Sequence, residues 1–202
     1  MAQLIFFDET HTYTVDGETV PSVSELTRFI SREIYGELNQ IAVDNAAVRG
    51  TAVHKAAEIL DKYGKAEITE DIAPYLKAYV AFRKEHKCEW EKIEYASCHP
   101  EKLYAGTLDR LGTVDGKRVI LDIKTTANID PQHRALYGAQ LNLYRKMLPG
   151  AEIESLFVLQ VKKDGTYKLY DLPVDDAVAD ACITLHLATK RKTRKRKENT
   201  DG

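Results

Sequence analysis

The sequence predicts an α/β fold of the mixed (α+β) kind, in which a mixed central sheet is flanked by helices. Three observations predict it. Helical and strand-like periodicities follow one another along the chain, and three Asp-Gly pairs between apolar runs are typical of tight hairpin turns. The 202 residues, 44% of them hydrophobic, suffice for one domain with its own core. We therefore expect a single domain over residues 1–189, with an N-terminal β-hairpin, and a basic, flexible tail over 190–202.

The first 90 residues are predicted to be mainly helical after an opening hairpin. Asp16-Gly17 forms the hairpin turn, and either Ser22 or Ser24 caps the helix that follows. Apolar residues then recur at helical spacing up to Tyr63, and Gly64 is a typical helix end. In chain order, the predicted strands are 12–15 and 18–20, and the predicted helices are 25–34, 39–63 and 72–86.

The rest of the chain is predicted to contain most of the sheet. Turns at 115–116 and 164–165 each join two apolar runs, and Pro149-Gly150 ends the helix between these hairpins. In chain order, we expect strands at 90–97, 103–114 and 118–125, a helix at 134–148, strands at 153–161 and 166–172, and a helix from 174 to about 190.

Charge is distributed unevenly along the chain. The net charge is −2, yet seven of the 29 Lys and Arg residues lie at positions 190–197. The body is therefore acidic and the C-terminal end strongly basic, which indicates either a polyanionic partner or a solvated arm. No apolar run is long enough to cross a membrane, and the N-terminus lacks the pattern of a signal peptide. We expect a cytoplasmic protein without a membrane partner.

The three cysteines, Cys88, Cys98 and Cys182, include no CxxC pair. Their odd number argues against a disulfide framework, and their spacing argues against a cysteine zinc site. Three thiols also fall short of the four that usually hold an iron–sulfur cluster, so no such cluster is expected.

Two acids and a lysine fall on one predicted hairpin. Asp122 and Lys124 are two positions apart on a strand, so alternation places them on the same face. Pairing around the turn at 115–116 brings Asp109 close to Asp122. Two carboxylates in an apolar sheet repel each other and are penalised by burial, a cost that a divalent cation relieves. With Lys124 to orient or deprotonate a water or to stabilise charge, the chemistry indicated is phosphodiester hydrolysis.

These residues and three further segments resemble a known superfamily. The run from Gly106 to Asp109, followed by Asp122-Ile123-Lys124, resembles the acid and (D/E)xK core of the PD-(D/E)XK nucleases. Gly50 to His54 resembles the GxxxH helix motif of the branch that includes the RecB nuclease domain and RecE exonuclease. Gln140 to Tyr144 resembles the QxxxY motif of that branch, and residues 11–24 resemble the N-terminal hairpin of its phage-type members. The resemblance implies a restriction-endonuclease-like fold.

The resemblance also implies roles for individual residues. Its metal, Mg²⁺ or Mn²⁺, would be held by His54, Asp109, Asp122 and the backbone carbonyl of Ile123. Gln140 would hold a metal-bound water or Lys124, and Tyr144 would contact DNA phosphates. Gln140 and Tyr144 are four positions apart and so share a helix face.

Each site residue also has a purely structural interpretation. His54 is also compatible with a hydrogen-bonded core histidine, and Gln140 and Tyr144 with helix packing. Asp109 and Asp122 are also compatible with a surface cross-strand pair in an ion-pair network with Lys124 and Arg110, although the apolar strand argues against it.

Two glutamates are candidates for the outer shell of the metal. Glu58 follows His54 by one helical turn and is placed to orient the imidazole, or else is an exposed residue of an amphipathic helix. Glu94, on the preceding strand, is either an acid near the metal or a solvent-facing residue of an alternating strand.

The function that the resemblance implies is a Mg²⁺-dependent deoxyribonuclease, a DNA exonuclease acting in phage or prophage recombination or in DNA end processing. Two alternatives stay open: a structure-specific or nicking endonuclease, and a non-catalytic nucleic-acid-binding protein on a nuclease fold. The expected partners are DNA, a separate recombination or annealing protein, and further copies of the chain in a homo-oligomer.

Overall fold

A computed structural model describes residues 3–36, 40–101 and 103–198, without the side chains of Gln40 and of 191–198. The N-terminal segment forms a small antiparallel sheet, and its strands are β1 (Leu4–Phe7), β2 (Thr12–Val15) and β3 (Glu18–Val20). The predicted hairpin of β2 and β3 is confirmed, with Asp16 and Gly17 in the left-handed region. Strand β1 was not predicted, because its short run of four apolar residues lacks alternation. A single turn of 3-10 helix, Asp8–Thr10, connects it to β2.

The helix predicted over 25–34 is two helices, α1 (Val23–Leu26) and α2 (Arg28–Tyr35). The chain turns at Thr27, which has a ψ of 4° and ends α1. Of the two predicted caps, Ser22 is the one used. Its hydroxyl accepts a hydrogen bond from Glu25 N, and the Glu25 carboxylate accepts one from Ser22 N, which makes a capping box.

Two longer helices follow, α3 (Gln40–Tyr63) and α4 (Ala73–Glu85). Both agree with the predicted ranges. Gly64 has a φ of +74°, so it ends α3 in the left-handed conformation that glycine adopts without strain.

The central sheet has five strands in the order β4-β5-β6-β7-β8. They are β4 (Cys88–Cys98), β5 (Ala105–Val114), β6 (Lys117–Lys124), β7 (Ser155–Val161) and β8 (Tyr167–Leu172). Only β6 and β7 are parallel, and helix α5 (Pro131–Lys146) forms the crossover that parallel neighbours require. The final helix is α6 (Asp176–Glu198). The predicted mixed sheet flanked by helices is confirmed.

Helices cover both faces of this sheet. Leu121 and Ile123 of β6 share a core with residues of α3 and α4, whereas Ile120 packs on the opposite face with α5. On the side of α5 that faces away from the sheet, a third hydrophobic core joins α5 to α1 and α6. Strand β6 is therefore buried on both faces, and its alternation places Asp122 and Lys124 on the α5 side, on one face as predicted.

The backbone of α6 continues about eight residues past its predicted end at 190. The side chains of residues 191–198, and residues 199–202 altogether, lie outside the described part of the chain. Most of the predicted basic tail falls there. None of the described helices is long and apolar enough to cross a membrane.

Candidate active site

The ladder between β5 and β6 ends at the predicted acids. Paired residues run from Val114 and Lys117 to Arg110 and Leu121, and no pair follows within this ladder. Beyond that point, Ile123 N donates a 2.6 Å hydrogen bond to Asp109 Oδ2. The Asp109 carboxylate therefore lies between the two strands, and only 7% of the residue is exposed. At this end of the ladder a side chain from α3 contacts both strands.

That side chain is His54. Its Nδ1 lies 3.3 Å from Asp109 Oδ2, and its Nε2 lies 2.8 Å from the carbonyl oxygen of Ile123. Because both ring nitrogens face oxygen acceptors, the arrangement favours the imidazolium. Burial opposes this charge, but the charge and hydrogen bond of Asp109 outweigh burial and raise the pKa of His54 to about 9. In the absence of a metal, the imidazolium is the cation that neutralises Asp109.

The pKa of Asp109 changes in the opposite direction. Burial alone would raise it, but the charge and hydrogen bond of His54, the charge of Lys124 and the N–H of Ile123 lower it to about 2. Asp109 is therefore an anion at every pH at which the protein is expected to work.

Glu94 reaches the same place from β4. The pairs on either side of it join Ile93 to Arg110 and Tyr95 to Leu108, so Glu94 lies opposite Asp109. Glu94 has a φ of +48°, a left-handed conformation that costs a non-glycine residue about 1–2 kcal/mol. Its Oε1 lies 3.9 Å from His54 Nδ1. Strained backbone of this kind often occurs at functional sites.

His54, Glu94 and Asp109 form what we call the three-ligand group. Each offers one potential ligand atom, and these atoms lie within 4.8 Å of one another. Among the described residues, no other set of three His, Cys, Asp or Glu side chains meets this condition. Burial, and after it the charge of Asp109, raise the pKa of Glu94 to about 7, although His54 and Arg110 lower it.

Asp122 and Lys124 form a separate pair beside this group. Lys124 Nζ lies 2.7 Å from Asp122 Oδ2, an ion pair, although that buried oxygen has no partner with hydrogen-bond geometry. Burial and the charge of Asp109 together raise the pKa of Asp122 more than Lys124 and His54 lower it. Burial alone would lower the pKa of Lys124, but the charges of Asp122 and Asp109 raise it. In this arrangement Lys124 is a cation rather than a base.

The donor atoms fit a divalent cation. Carboxylate and carbonyl oxygens with one imidazole nitrogen suit Mg²⁺ or Mn²⁺, and a cation would relieve the crowding of Glu94 and Asp109. The buried Asp122 Oδ2, without a hydrogen bond, is a further oxygen that a nearby cation would satisfy. The described arrangement thus agrees with a metal site at the predicted place, with Glu94 more central than predicted.

Tyr144 explains the glycine of the predicted acid motif. A Cβ at Gly106 would lie 2.9 Å from both Tyr144 Cε1 and Val23 Cγ2, so only glycine fits there without movement. Burial raises the pKa of Tyr144 strongly, and the charges of Asp122 and Asp109 add to the rise. Its phenol is therefore a neutral hydrogen-bond donor beside the acids.

Gln140 takes part in no side-chain hydrogen bond among the residues that the structure describes. No direct hydrogen bond between Gln140 and Lys124 in the described chain therefore supports the predicted role of Gln140 in holding Lys124. Instead, Lys124 lies over the ring of Tyr137, with Nζ 5.0 Å from the ring centroid. The hydroxyl of Tyr137 lies 3.2 Å from that of Tyr35.

Glu58 requires a correction. Its carboxylate binds Lys55 at 2.9 Å and Lys62 at 2.7 Å, on its own helix, and none of its contacts in the described chain reaches His54. The lysines three positions before and four positions after it neutralise it locally. Of the two interpretations of Glu58, the residue of an amphipathic helix is therefore the one that the structure favours.

The sequence analysis did not identify Asp61 as part of the site, and it did not predict that Arg110 is buried against Asp61. Arg110 is fully buried, and its Nε donates a 2.7 Å hydrogen bond to Asp61 Oδ2. One signal was available, since Asp61 follows His54 by seven positions and so lies on the same face of α3.

The chain is similar to several solved structures, whereas comparisons of its sequence find no match. No protein-family model matches the chain, and no curated protein matches it. It is similar to the crystal structure of an alkaline exonuclease (LHK-Exo) from Laribacter hongkongensis, with 14% identity, a TM-score of 0.41, and coverage of 75% of this chain and 86% of that one.

Two further solved structures are similar. For LHK-Exo in complex with dAMP, identity is 12% and the TM-score 0.42, with 91% of this chain and 95% of that one covered. For SSO0001, identity is 18% and the TM-score 0.44, with 82% and 76% covered. Such low identities and TM-scores carry no weight for function, which has to be inferred from the site itself.

Proposed function

We propose that this chain is a PD-(D/E)XK nuclease that hydrolyses DNA phosphodiester bonds with a divalent metal, as an exonuclease. The observation that carries the proposal is the convergence of the three-ligand group with the Asp122–Lys124 pair at the open end of the β5–β6 ladder. The three-ligand group brings together side chains from α3, β4 and β5, and the Asp122–Lys124 pair of β6 lies beside it. Together with the motif order, this arrangement favours a nuclease over a structural ion-pair network.

His54, Glu94 and Asp109 would hold the metal, with Asp122 and the Ile123 carbonyl beside them. The imidazole has to lose its proton to serve as a ligand, because the metal competes with that proton. When bound, Mg²⁺ or Mn²⁺ supplies a Lewis acid that polarises the phosphate and favours attack by water.

Lys124 would act on the phosphate as a fixed cation. Its ammonium is held by Asp122 and lies over the Tyr137 ring, so little reorganisation is needed to donate a hydrogen bond to a phosphate oxygen. Because neighbouring carboxylates raise its pKa, Lys124 serves better to stabilise developing negative charge than to remove a proton from water. Tyr144 and Gln140, on α5, would contact the DNA strand and the attacking water.

The biological setting extends this proposal. The motif set agrees with exonuclease action in phage or prophage recombination, or in DNA end processing. It also agrees with a cytoplasmic location, a partner annealing protein and assembly into a homo-oligomer. The basic segment at 190–197 would add sequence-independent affinity for DNA that decreases with salt.

The direct test incubates the full chain with linear and with covalently closed circular DNA, in Mg²⁺ or Mn²⁺. We expect degradation of linear DNA only, and a decrease in rate of about 10²–10³-fold for Lys124→Met, the size typical of losing one charge-stabilising donor. Lys62→Met, which removes an exposed lysine of α3, is the matched control. Opening of the closed circle would instead identify an endonuclease. Failure to cut either DNA with either metal would refute the nuclease proposal.

A further inference from the structure

A buried ion pair lies directly behind the three-ligand group. Arg110 of β5 and Asp61 of α3 both have fully buried side chains, and Arg110 Nε lies 2.7 Å from Asp61 Oδ2. Asp61 also accepts hydrogen bonds from the Tyr79 hydroxyl and from Arg83, both on α4. The pair therefore joins α3, α4 and the central sheet. A buried ion pair contributes little net stability compared with packed apolar side chains, so stability alone does not account for it.

The other end of the guanidinium reaches two members of the three-ligand group. Arg110 Nη1 donates to the carbonyl oxygen of Asp109 at 2.7 Å and to Glu94 Oε1 at 3.2 Å. The planar guanidinium fixes the geometry between its donors, so the hydrogen bond to Asp61 also fixes the direction in which Nη1 points. Asp61 thereby acts on Glu94 without touching it.

Glu94 needs such a restraint. Its carboxylate and that of Asp109 repel each other, and its side chain is 24% exposed, so rotation into solvent would relieve the repulsion. Its left-handed backbone conformation directs it toward the group at a cost of about 1–2 kcal/mol, which neighbouring contacts have to offset. Among the described residues, Arg110 is the only cation of a Lys or Arg side chain within ion-pair distance of Glu94.

We propose that Asp61 and Arg110 are positioning residues that hold Glu94 in the three-ligand group, so that the metal meets a site with both carboxylates in place. This inference rests on the proposed function only in taking the three-ligand group to be a metal site. Asp61 and Arg110 touch neither metal nor DNA in this proposal, and they act on the metal site through the Glu94 carboxylate.

The test measures Mn²⁺ affinity of the full chain by titration calorimetry in a double-mutant cycle. Arg110→Lys keeps the charge but loses the planar donor arrangement, and we expect it to weaken Mn²⁺ binding about 10–100-fold, the usual effect of losing a residue that orients a ligand. Glu94→Gln should weaken binding by a similar factor. In the Glu94→Gln background, Arg110→Lys should then change the affinity by less than about twofold, because the carboxylate that Arg110 holds is already absent.

Arg83→Lys is the matched control. Arg83 binds the same Asp61 carboxylate from α4, but it contacts neither Glu94 nor Asp109 in the described chain, so Mn²⁺ affinity should stay within about twofold of wild type. Circular dichroism and urea unfolding establish that each variant is folded under the conditions of the titration. If Arg110→Lys fails to fold, Asp61→Asn, which is nearly isosteric, replaces it in the same cycle.

The outcomes separate the two proposals. Equal losses from Arg110→Lys in the wild-type and Glu94→Gln backgrounds, or unchanged affinity in folded Arg110→Lys, would overturn the positioning role while leaving the metal site intact. The expected coupling in a chain that binds Mn²⁺ but cuts no DNA would support the positioning role and refute the nuclease proposal. Absence of Mn²⁺ binding by wild type would refute both.

Discussion

The two groups of charged side chains at the end of β6 differ in how their charge is neutralised. Asp122 and Lys124 neutralise each other at 2.7 Å on the α5 side of the strand. The three-ligand group has two carboxylates against one imidazole, and it relies on the imidazolium and on Arg110 for positive charge. A group that is already paired gains little from an added cation, whereas one with excess negative charge gains much. The comparison therefore supports the proposal that the three-ligand group holds the metal, with Asp122 beside it, and that Lys124 contacts the phosphate.

The largest expected effect is a difference in Mn²⁺ affinity between variants of Asp109 and Asp122, the two carboxylates that were predicted to bind the metal together. Asp109→Asn should abolish Mn²⁺ binding and lower the rate of DNA cleavage at least about 10³-fold, because it removes a metal ligand. Asp122→Asn should also impair cleavage, since it releases Lys124, but should retain Mn²⁺ affinity to within about tenfold. Titration calorimetry on both variants measures the Mn²⁺ affinity, and single-turnover kinetics measure the rate of DNA cleavage. Equal loss of Mn²⁺ affinity in the two variants would contradict the assignment of the metal.

The next effect concerns pH. The pKa of His54 is raised from 6.5 to about 9 in the folded chain, so protonation of His54 stabilises the fold. This contribution is fully present below pH 6.5 and is lost as the pH rises to about 9. At most it amounts to about 3 kcal/mol, the free-energy equivalent of the shift. The difference in unfolding free energy between metal-free wild type and His54→Gln, measured in urea, should therefore shrink over this range.

His99 provides the control for that measurement. Burial lowers the pKa of His99, so any contribution of its neutral form is complete by pH 6.5 and constant above it. His99→Gln should consequently differ from wild type by a constant amount between pH 6.5 and 9. Mn²⁺ affinity of the wild type should rise over the same range, as the metal displaces the His54 proton. A flat difference for His54→Gln would show that the imidazolium is not held as described.

The smallest expected effect is that of Glu58→Gln, which we compare with Glu94→Gln because both glutamates were candidates for the outer shell of the metal. Glu58→Gln should leave DNA cleavage and Mn²⁺ affinity within about twofold of wild type and cost less than about 1 kcal/mol, because its partners are lysines of its own helix. Glu94→Gln should impair both. A larger effect of Glu58→Gln on Mn²⁺ affinity would restore its predicted role beside His54.

Much of the fold was accessible from the sequence because short-range signals specify it. The Asp-Gly pairs predicted the hairpins β2–β3, β5–β6 and β7–β8, and the alternation of β6 placed Asp122 and Lys124 on one face. Helix spacing placed His54 on the inner side of α3. These features depend on periodicity and turn chemistry, which are local properties of the chain.

The rest of the site depends on long-range geometry. Strict alternation along β4 gives no indication that Glu94 adopts a left-handed conformation and lies among the ligands. The burial of Arg110 and Asp61 follows from how α3 meets β5, residues 49 positions apart, and neither residue has an apolar character that marks it as buried. Spacing also left two interpretations of Glu58 open, and its carboxylate pairs with Lys55 and Lys62 of its own helix.

The parallel pairing of β6 and β7 determines how late during synthesis the candidate site can form. Asp122 and Lys124 lie on a strand that pairs on one side with β5 and on the other with β7, which ends at Val161. During synthesis from the N-terminus, the three-ligand group, Asp122 and Lys124 leave the ribosome before β7, the strand that pairs with the second edge of β6. We therefore expect a nascent chain to be inert toward DNA until β7 has emerged.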